Sequence, residues 1–358
     1  MAYPLSSKAA VVPEPGAQHI ITHRALGPVK SGEIGIQITA TAVNPVDWKM
    51  RDYQAFISEY PAVLGSDAAG HVVSVGPDVA GFAPGDRVFF QGIVGSYDSS
   101  TFQQFCKMPA ALVSHTPDHV SDEEAAGISL ATVAGVTAFY HTDGQGLPPP
   151  WDAGGAQVGR GQAIVILGGA SSVGQYAIQL ARLSGFDRIV TNASPANHPW
   201  LRGLGAHVVI DRKHSDAPSF ATAIGDLPLR FVFDAISIRS TQVLGVQILQ
   251  ATGTPHGHVV TVHTVRPEGV DAEAVALGQS RAPRVGIKQV LGLGSAPYLR
   301  YLSEPLARHL TEYLAHGLFI PNRPRVVAGG LNAVEEALDL NKVGVSGEKV
   351  VFCPSSQG

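Results

Sequence analysis

The stretch Ala163-Ile-Val-Ile-Leu-Gly-Gly-Ala-Ser-Ser-Val-Gly174 constrains the fold most. It reads as a short apolar strand, a glycine-rich turn and the start of a helix over residues 175–184. That order places backbone N–H groups and a helix N-terminus around a phosphate-sized gap, the arrangement that holds a dinucleotide. The usual G-x-G-x-x-G becomes Gly169-Ala-Ser171-Ser-Val-Gly174, with serine at the middle glycine. The bland alternative is a plain strand-to-helix turn. Two rivals fail on chemistry. Gln175 stands where a nucleoside triphosphate loop needs its lysine, and Val173 stands where a hydrolase elbow needs its second glycine.

The rest of the chain is consistent with a cofactor-dependent enzyme. At 358 residues it suits two domains. A net charge of −4 shows no basic surface for nucleic acid or anionic lipid. No apolar run approaches a membrane span, and residues 1–8 lack a basic-then-apolar leader. Only Cys106 and Cys353 occur, which excludes a disulfide framework and leads to an expected cytoplasmic location.

Residues 1 to about 125 read as a β-rich barrel or sandwich. Residues 35–40, 71–75 and 86–90 are expected strands, and Gly76-Pro77-Asp78 and Ala83-Pro84-Gly85-Asp86 are expected turns. The character changes at Ser121-Asp122-Glu123-Glu124, a helix start whose acids oppose the helix dipole. Strands at 163–167, 188–192, 207–210, 231–233 and 258–263 then alternate with helical stretches, the pattern of a doubly wound parallel sheet. Residues 143–155 read as an inserted surface loop, 303–318 as an amphipathic helix and 348–352 as a closing strand. Residues 258–263 are the expected edge strand of the parallel sheet, open to pairing across a dimer; monomer and dimer both remain open.

A unit that prefers NAD carries an acid about 20 residues past the glycine turn, on the ribose 2′-hydroxyl. Here that strand ends Val190-Thr-Asn-Ala-Ser194-Pro-Ala-Asn197 without one. Ser194 and Asn197 can donate to a 2′-phosphate, and Arg212 and Lys213 bring cations to the neighbouring strand end. NADPH is therefore the expected cofactor. In the competing reading Arg212 and Lys213 are surface charges and Asp211 faces the ribose, which restores NADH. No metal is expected. Two isolated cysteines cannot build a thiolate site, and Pro117 separates His115 from His119. Without a Lewis acid, plain alcohol oxidation gives way to reduction of a double bond conjugated to a carbonyl.

Several ordered motifs coincide: Asn44-Pro-Val-Asp-Trp-Lys49, Gly65-Ser-Asp-Ala-Ala-Gly-His71, Val75-Gly-Pro-Asp-Val79, Pro84-Gly-Asp-Arg-Val88, Gly168-Gly-Ala-Ser-Ser-Val-Gly174 and Val345-Ser-Gly-Glu-Lys-Val350. Over residues 8–352 the chain resembles the medium-chain dehydrogenase/reductase superfamily. It resembles the zinc-free branch, because Ser66 and Asp67 stand where zinc enzymes carry histidine and glutamate, and no cysteine falls at 43–46. Its motifs, with Leu130-Ala-Thr132, Gly146-Leu-Pro-Pro-Pro-Trp151 and Ser194-Pro-Ala-Asn197, are most similar to fungal trans-acting enoyl reductases of polyketide synthases, and to quinone oxidoreductases.

The resemblance implies an α/β chain. A GroES-like catalytic domain would span 1–125 and 295–358, around a Rossmann domain at 126–294 that binds NADPH. It places Asn44, Val46, Asp47, Trp48 and Lys49 at the nicotinamide and ribose end, and Gly168, Gly169, Ala170, Ser171, Ser172 and Val173 on the pyrophosphate. Ser194, Asn197 and Arg212 would meet the 2′-phosphate, although the family commonly has tyrosine at the position of Arg212. His263, Val345 and Ser346 complete the cofactor set. Lys49 and Thr132 are expected to orient cofactor or substrate, with Tyr53 or water as proton donor. Their bland readings are an ion pair with Asp47, a hydrogen bond within a helix, and packing. Leu293, Gly294, Ser295 and Tyr298 are expected to line an apolar substrate pocket or to serve as a plain hinge. The expected substrate is a small or carrier-bound unsaturated carbonyl, with a polyketide synthase as candidate partner and no nucleic acid or membrane. A quinone reductase and a non-catalytic NADPH sensor are the alternatives.

Overall fold

The computed structural model describes residues 3–262 and 269–356. The chain divides into two compact units, Met1–Leu130 with Leu293–Gly358, and Ala131–Gly292.

In the first unit a seven-stranded sheet is built on the long strand Glu33–Ala42, which pairs antiparallel with Asp67–Val75, Phe105–Pro109 and Glu348–Phe352. Alternate residues Ile34, Ile36 and Ile38 point into one core with Val72, Val88, Phe90 and Met108, as period-two side chains must. The expected strands 35–40 and 71–75 are the middle of longer ones. Ser6–Val12, Ile20–Ala25 and Ala62–Val63 form a separate three-stranded sheet. Phe102 and Phe352 pack in a second core with Val334, Ala337 and Leu338 of helix Val334–Val343, so the C-terminal segment is part of this unit.

In the second unit six parallel strands occur in the spatial order Val208–Asp211, Arg188–Ala193, Ala163–Leu167, Leu229–Asp234, His258–Val262, Gly286–Val290. The order reverses beside Ala163–Leu167, the strand that feeds the glycine turn. Ligands of open parallel sheets bind outside the carboxyl ends of the strands at such a reversal. The buried run Ala163–Leu167 is covered on both faces, which is why it reads as continuous rather than alternating.

Three expectations need correction. His258–Val262 is not an edge strand, because Gly286–Val290 pairs with its outer side from His258↔Gly286 to Val262↔Val290. The strand Gly286-Ile-Lys-Gln-Val290 is mostly half-buried and carries glycine, lysine and glutamine, so it lacks an apolar run. Helix Ser172–Leu183 starts three residues before the expected 175, because the Ser171 side chain caps it by accepting the Gly174 N–H. Helix Arg300–Ala315 likewise lies about a turn before the expected 303–318. Among the described residues no helix is long and apolar enough to cross a membrane.

Candidate functional site

The glycine turn in the second unit is built almost entirely from backbone. Gly168 takes φ +77°, a left-handed conformation open to glycine at no steric cost. A Cβ on Gly169 would stand 2.2 Å from Thr191 Oγ1, and one on Gly174 would stand 2.3 Å from the Gly168 carbonyl oxygen. Glycine is therefore required at both places by close approach of neighbouring chain. Ser171, at the position of the middle glycine, is consistent with this turn. Its Oγ donates to the Gly168 carbonyl at 2.8 Å and accepts from the Gly174 N–H at 3.0 Å. The first N–H groups of a helix have no intrahelical partner, and with Gly174 capped those of Ser172 and Val173 suit an anion. Ala170 lies between, and its carbonyl accepts from Gln175 Nε2.

Two supports of this turn escaped the sequence reading. Asn192 Oδ1 accepts the Gly168 N–H at 2.9 Å, tying the turn to the second strand of the sheet. At the end of the fourth strand, Asp234 accepts N–H bonds from Ile236 and Ser237 and a hydroxyl bond from Thr241 at 2.7 Å. Burial pushes its carboxyl up to about 6 against those bonds. Ile236 from this Asp234 turn packs where a Gly168 side chain would be. The local signal, an acid followed by Ala235-Ile236-Ser237 after an apolar strand, was present.

At the 2′-phosphate end, Ser194 Oγ accepts from Asn197 Nδ2 at 3.0 Å, so these two side chains form one unit. Arg212 is exposed just past the end of the neighbouring strand Val208–Asp211. Asp211 accepts the Lys213 N–H at 3.1 Å, an engagement with its own turn. Thr132 is fully buried in helix Ser129–Tyr140. His263 lies outside the described residues.

In the first unit the motif Asn44-Pro-Val-Asp-Trp-Lys49 becomes the start of helix Pro45–Tyr53. Asp47 is the third helical residue, and its Oδ2 accepts the Asn44 N–H at 2.7 Å. The Asn44 side chain is a hub. Its Nδ2 donates to Ser66 Oγ at 3.1 Å and Asp67 Oδ2 at 3.0 Å, and its Oδ1 accepts from Lys349 Nζ at 2.5 Å. Asp67 Oδ1 accepts the Leu130 N–H at 2.8 Å, and Lys349 Nζ is 3.9 Å from Asp67 Oδ2. Burial pushes the carboxyls of both Asp47 and Asp67 up to about 7, partly opposed by Lys349. Burial lowers the Lys349 ammonium, opposed by the two carboxylates.

Val46 packs partly buried against the first unit's core. Trp48 fastens the helix to Val334–Val343 by donating from Nε1 to Asn341 Oδ1 at 3.1 Å. The Lys49 and Lys342 ammonium groups stand 5.2 and 5.4 Å from its ring, a cation–π distance. Lys49 is 5% exposed. Tyr53 ends the helix 42% exposed and edge-on to Trp48.

Val345 and Ser346 lie between Val334–Val343 and the strand Glu348–Phe352. Gly294 donates its N–H to Gln91 Oε1 at 2.9 Å and accepts from Ser303 Oγ at 2.6 Å, while Leu293 and Ser295 beside it are half-buried and Tyr298 is exposed. Among the described residues no three His, Cys, Asp or Glu side chains gather as metal ligands. Asp67 is already committed to Asn44, Leu130 and Lys349.

The chain's residues 30–135 match the family described as alcohol dehydrogenase GroES-like domain. It is 33% identical over 339 residues to the trans-enoyl reductase himH of Aspergillus japonicus, covering 89% of each chain. To the trans-enoyl reductase tndF of Aspergillus flavipes it is 33% identical over 359 residues, covering 96% of this chain and 98% of the relative. The solved quinone oxidoreductase of Coxiella burnetii shares the fold, with TM-score 0.70 at 22% identity, 97% of this chain and 99% of the other being covered. The reversal beside a glycine turn, the GroES-like match and the full-length relatives lead to one assignment: the chain belongs to the medium-chain dehydrogenase/reductase superfamily of oxidoreductases.

Proposed function

We propose that the chain is an NADPH-dependent, zinc-independent reductase of a carbon–carbon double bond conjugated to a carbonyl. One observation carries the cofactor half of this reading: a sterically obligatory glycine turn opens on a capped helix N-terminus, the strand Arg188–Ala193 ends without an acid, and Arg212 stands exposed just past the end of Val208–Asp211. The full-length likeness to trans-enoyl reductases supports the substrate half.

When bound, NADPH supplies the hydride, which goes to the β-carbon. The N–H groups of Ser172 and Val173 hold the pyrophosphate at the helix N-terminus. Arg212 holds the 2′-phosphate by charge and forked donors, with Ser194 and Asn197 beside it. Negative charge develops on the substrate carbonyl oxygen, where aimed donors give the largest benefit. Lys49 and Thr132 are assigned to orient cofactor and substrate, and water or Tyr53 returns the proton at the α-carbon. Val345 and Ser346 contribute to the cofactor side, and residues 293–298 to the substrate side. The substrate is a small enone or a thioester presented on a carrier by a separate polyketide synthase, in the cytoplasm.

NADPH consumption with product mass on enoyl thioesters, enones and quinones tests the reading. A product two hydrogens heavier from a thioester or enone supports it. Consumption with quinones alone replaces it with a quinone reductase, and NADPH binding without any turnover replaces it with a sensor.

A further inference from the structure

Beneath the Pro45–Tyr53 helix lies a polar cluster that includes Asn44 and Asp47 of the motif expected at the nicotinamide end. It brings Asn44, Asp47, Ser66, Asp67 and Lys349 together from three segments of the chain, each side chain's residue no more than 5% exposed. Burying two acids and one lysine is a poor way to gain stability, since well-packed apolar residues do as well or better. What such a network does give is a single geometry, because its directional hydrogen bonds fix each side chain against the others. Asn44 spans the cluster, so the helix start is fixed at once by Lys349, Ser66 and Asp67. Lys49 follows Asp47 by two residues in that first turn and a half.

We propose that Asn44, Asp67 and Lys349 are positioning residues that hold the first turn of the Pro45–Tyr53 helix, and through it the Lys49 ammonium, in the orientation the reduction requires. The proposal rests on the reductase reading and deepens it. Nearby charges pair elsewhere. Arg51 binds Glu335 and Asp52, and Lys342 binds Asp52. Asp122 takes Arg87 and faces His71, while Glu348 faces Arg325. Glu124 caps at Ser121. Asp47, Asp67 and Lys349 therefore answer mainly to one another.

This arrangement carries a pH signature. With both carboxyls raised to about 7 beside one cation, the cluster holds an exchangeable proton near neutrality. As pH rises past that range the cluster becomes net negative, and turnover falls on a limb near pH 7. Asp67→Asn removes one acid and abolishes the limb. Lys349→Met removes the cation that holds the carboxyls down and moves the limb upward.

The test is a double-mutant cycle on kcat between Lys49→Ala and Asp67→Asn, with pH profiles of the wild type, Asp67→Asn and Lys349→Met. Misplacement by about 1 Å costs about a hundredfold in rate, so Asp67→Asn alone is expected to lower kcat by up to that factor. In the Lys49→Ala background it is expected to lower kcat no further, because the two act as one unit. Additive losses with an unmoved pH limb overturn the positioning role and leave a structural one. If Lys349→Met does not fold, the cycle and the Asp67→Asn profile still decide. A wild type that reduces no conjugated substrate refutes the reductase reading, and this proposal with it; a wild type that turns over with additive variants refutes the positioning alone.

Discussion

At the Gly168–Gly174 turn the groups that matter are backbone atoms, and at the Asn44–Lys349 cluster they are side chains. The turn relies on absence: no Cβ fits at Gly169 or Gly174. The cluster relies on presence, with each polar atom of the Asn44 side chain engaged by another side chain. The first is a steric device, and the exclusion of a Cβ at Gly169 and Gly174 does not titrate. The second is electrostatic and does. A cofactor grip shared by many chemistries suits the former, and alignment of one particular cation suits the latter.

The sharpest way to break this contrast is Lys349→Met. Removing one partner of a buried charge pair costs about 3–5 kcal/mol, measured by urea unfolding at pH 8. The cost should shrink as pH falls, since both acids are then protonated in the folded state. The sign follows from linkage. Asp47 and Asp67 have folded pKa values of about 7, raised from about 3.9 in the unfolded chain. The stability they contribute is fully present below about pH 4 and is lost as pH rises through 7. Asp67→Asn should therefore gain stability relative to the wild type between those limits. A difference that is flat with pH would contradict the cluster's charge state.

Gly174→Ala should cost about 1–3 kcal/mol by overpacking, equally at pH 5 and pH 8, and should abolish NADPH binding in a fluorescence titration. Arg212→Ala should weaken NADPH about tenfold and leave NADH unchanged, the loss of a charged hydrogen bond. Equal effects on both cofactors would return Arg212 to an ordinary surface charge. Ser171→Ala should have the smallest effect, about 1 kcal/mol for a lost helix cap, read from the thermal midpoint.

The same contrast explains what the sequence disclosed. The turn was legible because its strand, glycines and helix are contiguous, and even the substituted Ser171 keeps its reason locally. The strands of the parallel sheet were legible up to the last one, since Gly286–Val290 is half-buried and has no apolar run. The cluster was not legible as a cluster. Asn44, Asp47 and Asp67 each drew notice through a motif, but Asn44 and Lys349 are 305 residues apart and only the strand pairing of Glu348–Phe352 with Glu33–Ala42 brings them together. Asn192 and Asp234 were missed for a related reason: each acts on the glycine turn from a neighbouring strand. Tyr53 shows the converse, a motif neighbour whose exposure only the folded helix reveals.

The most direct measurement uses NADPH deuterated on both faces of the nicotinamide C4 position, with an enoyl thioester in ordinary water. The account predicts a saturated thioester carrying one deuterium at the β-carbon and hydrogen from solvent at the α-carbon. Deuterium at the carbonyl carbon, or an unchanged thioester while a quinone is reduced, would contradict it.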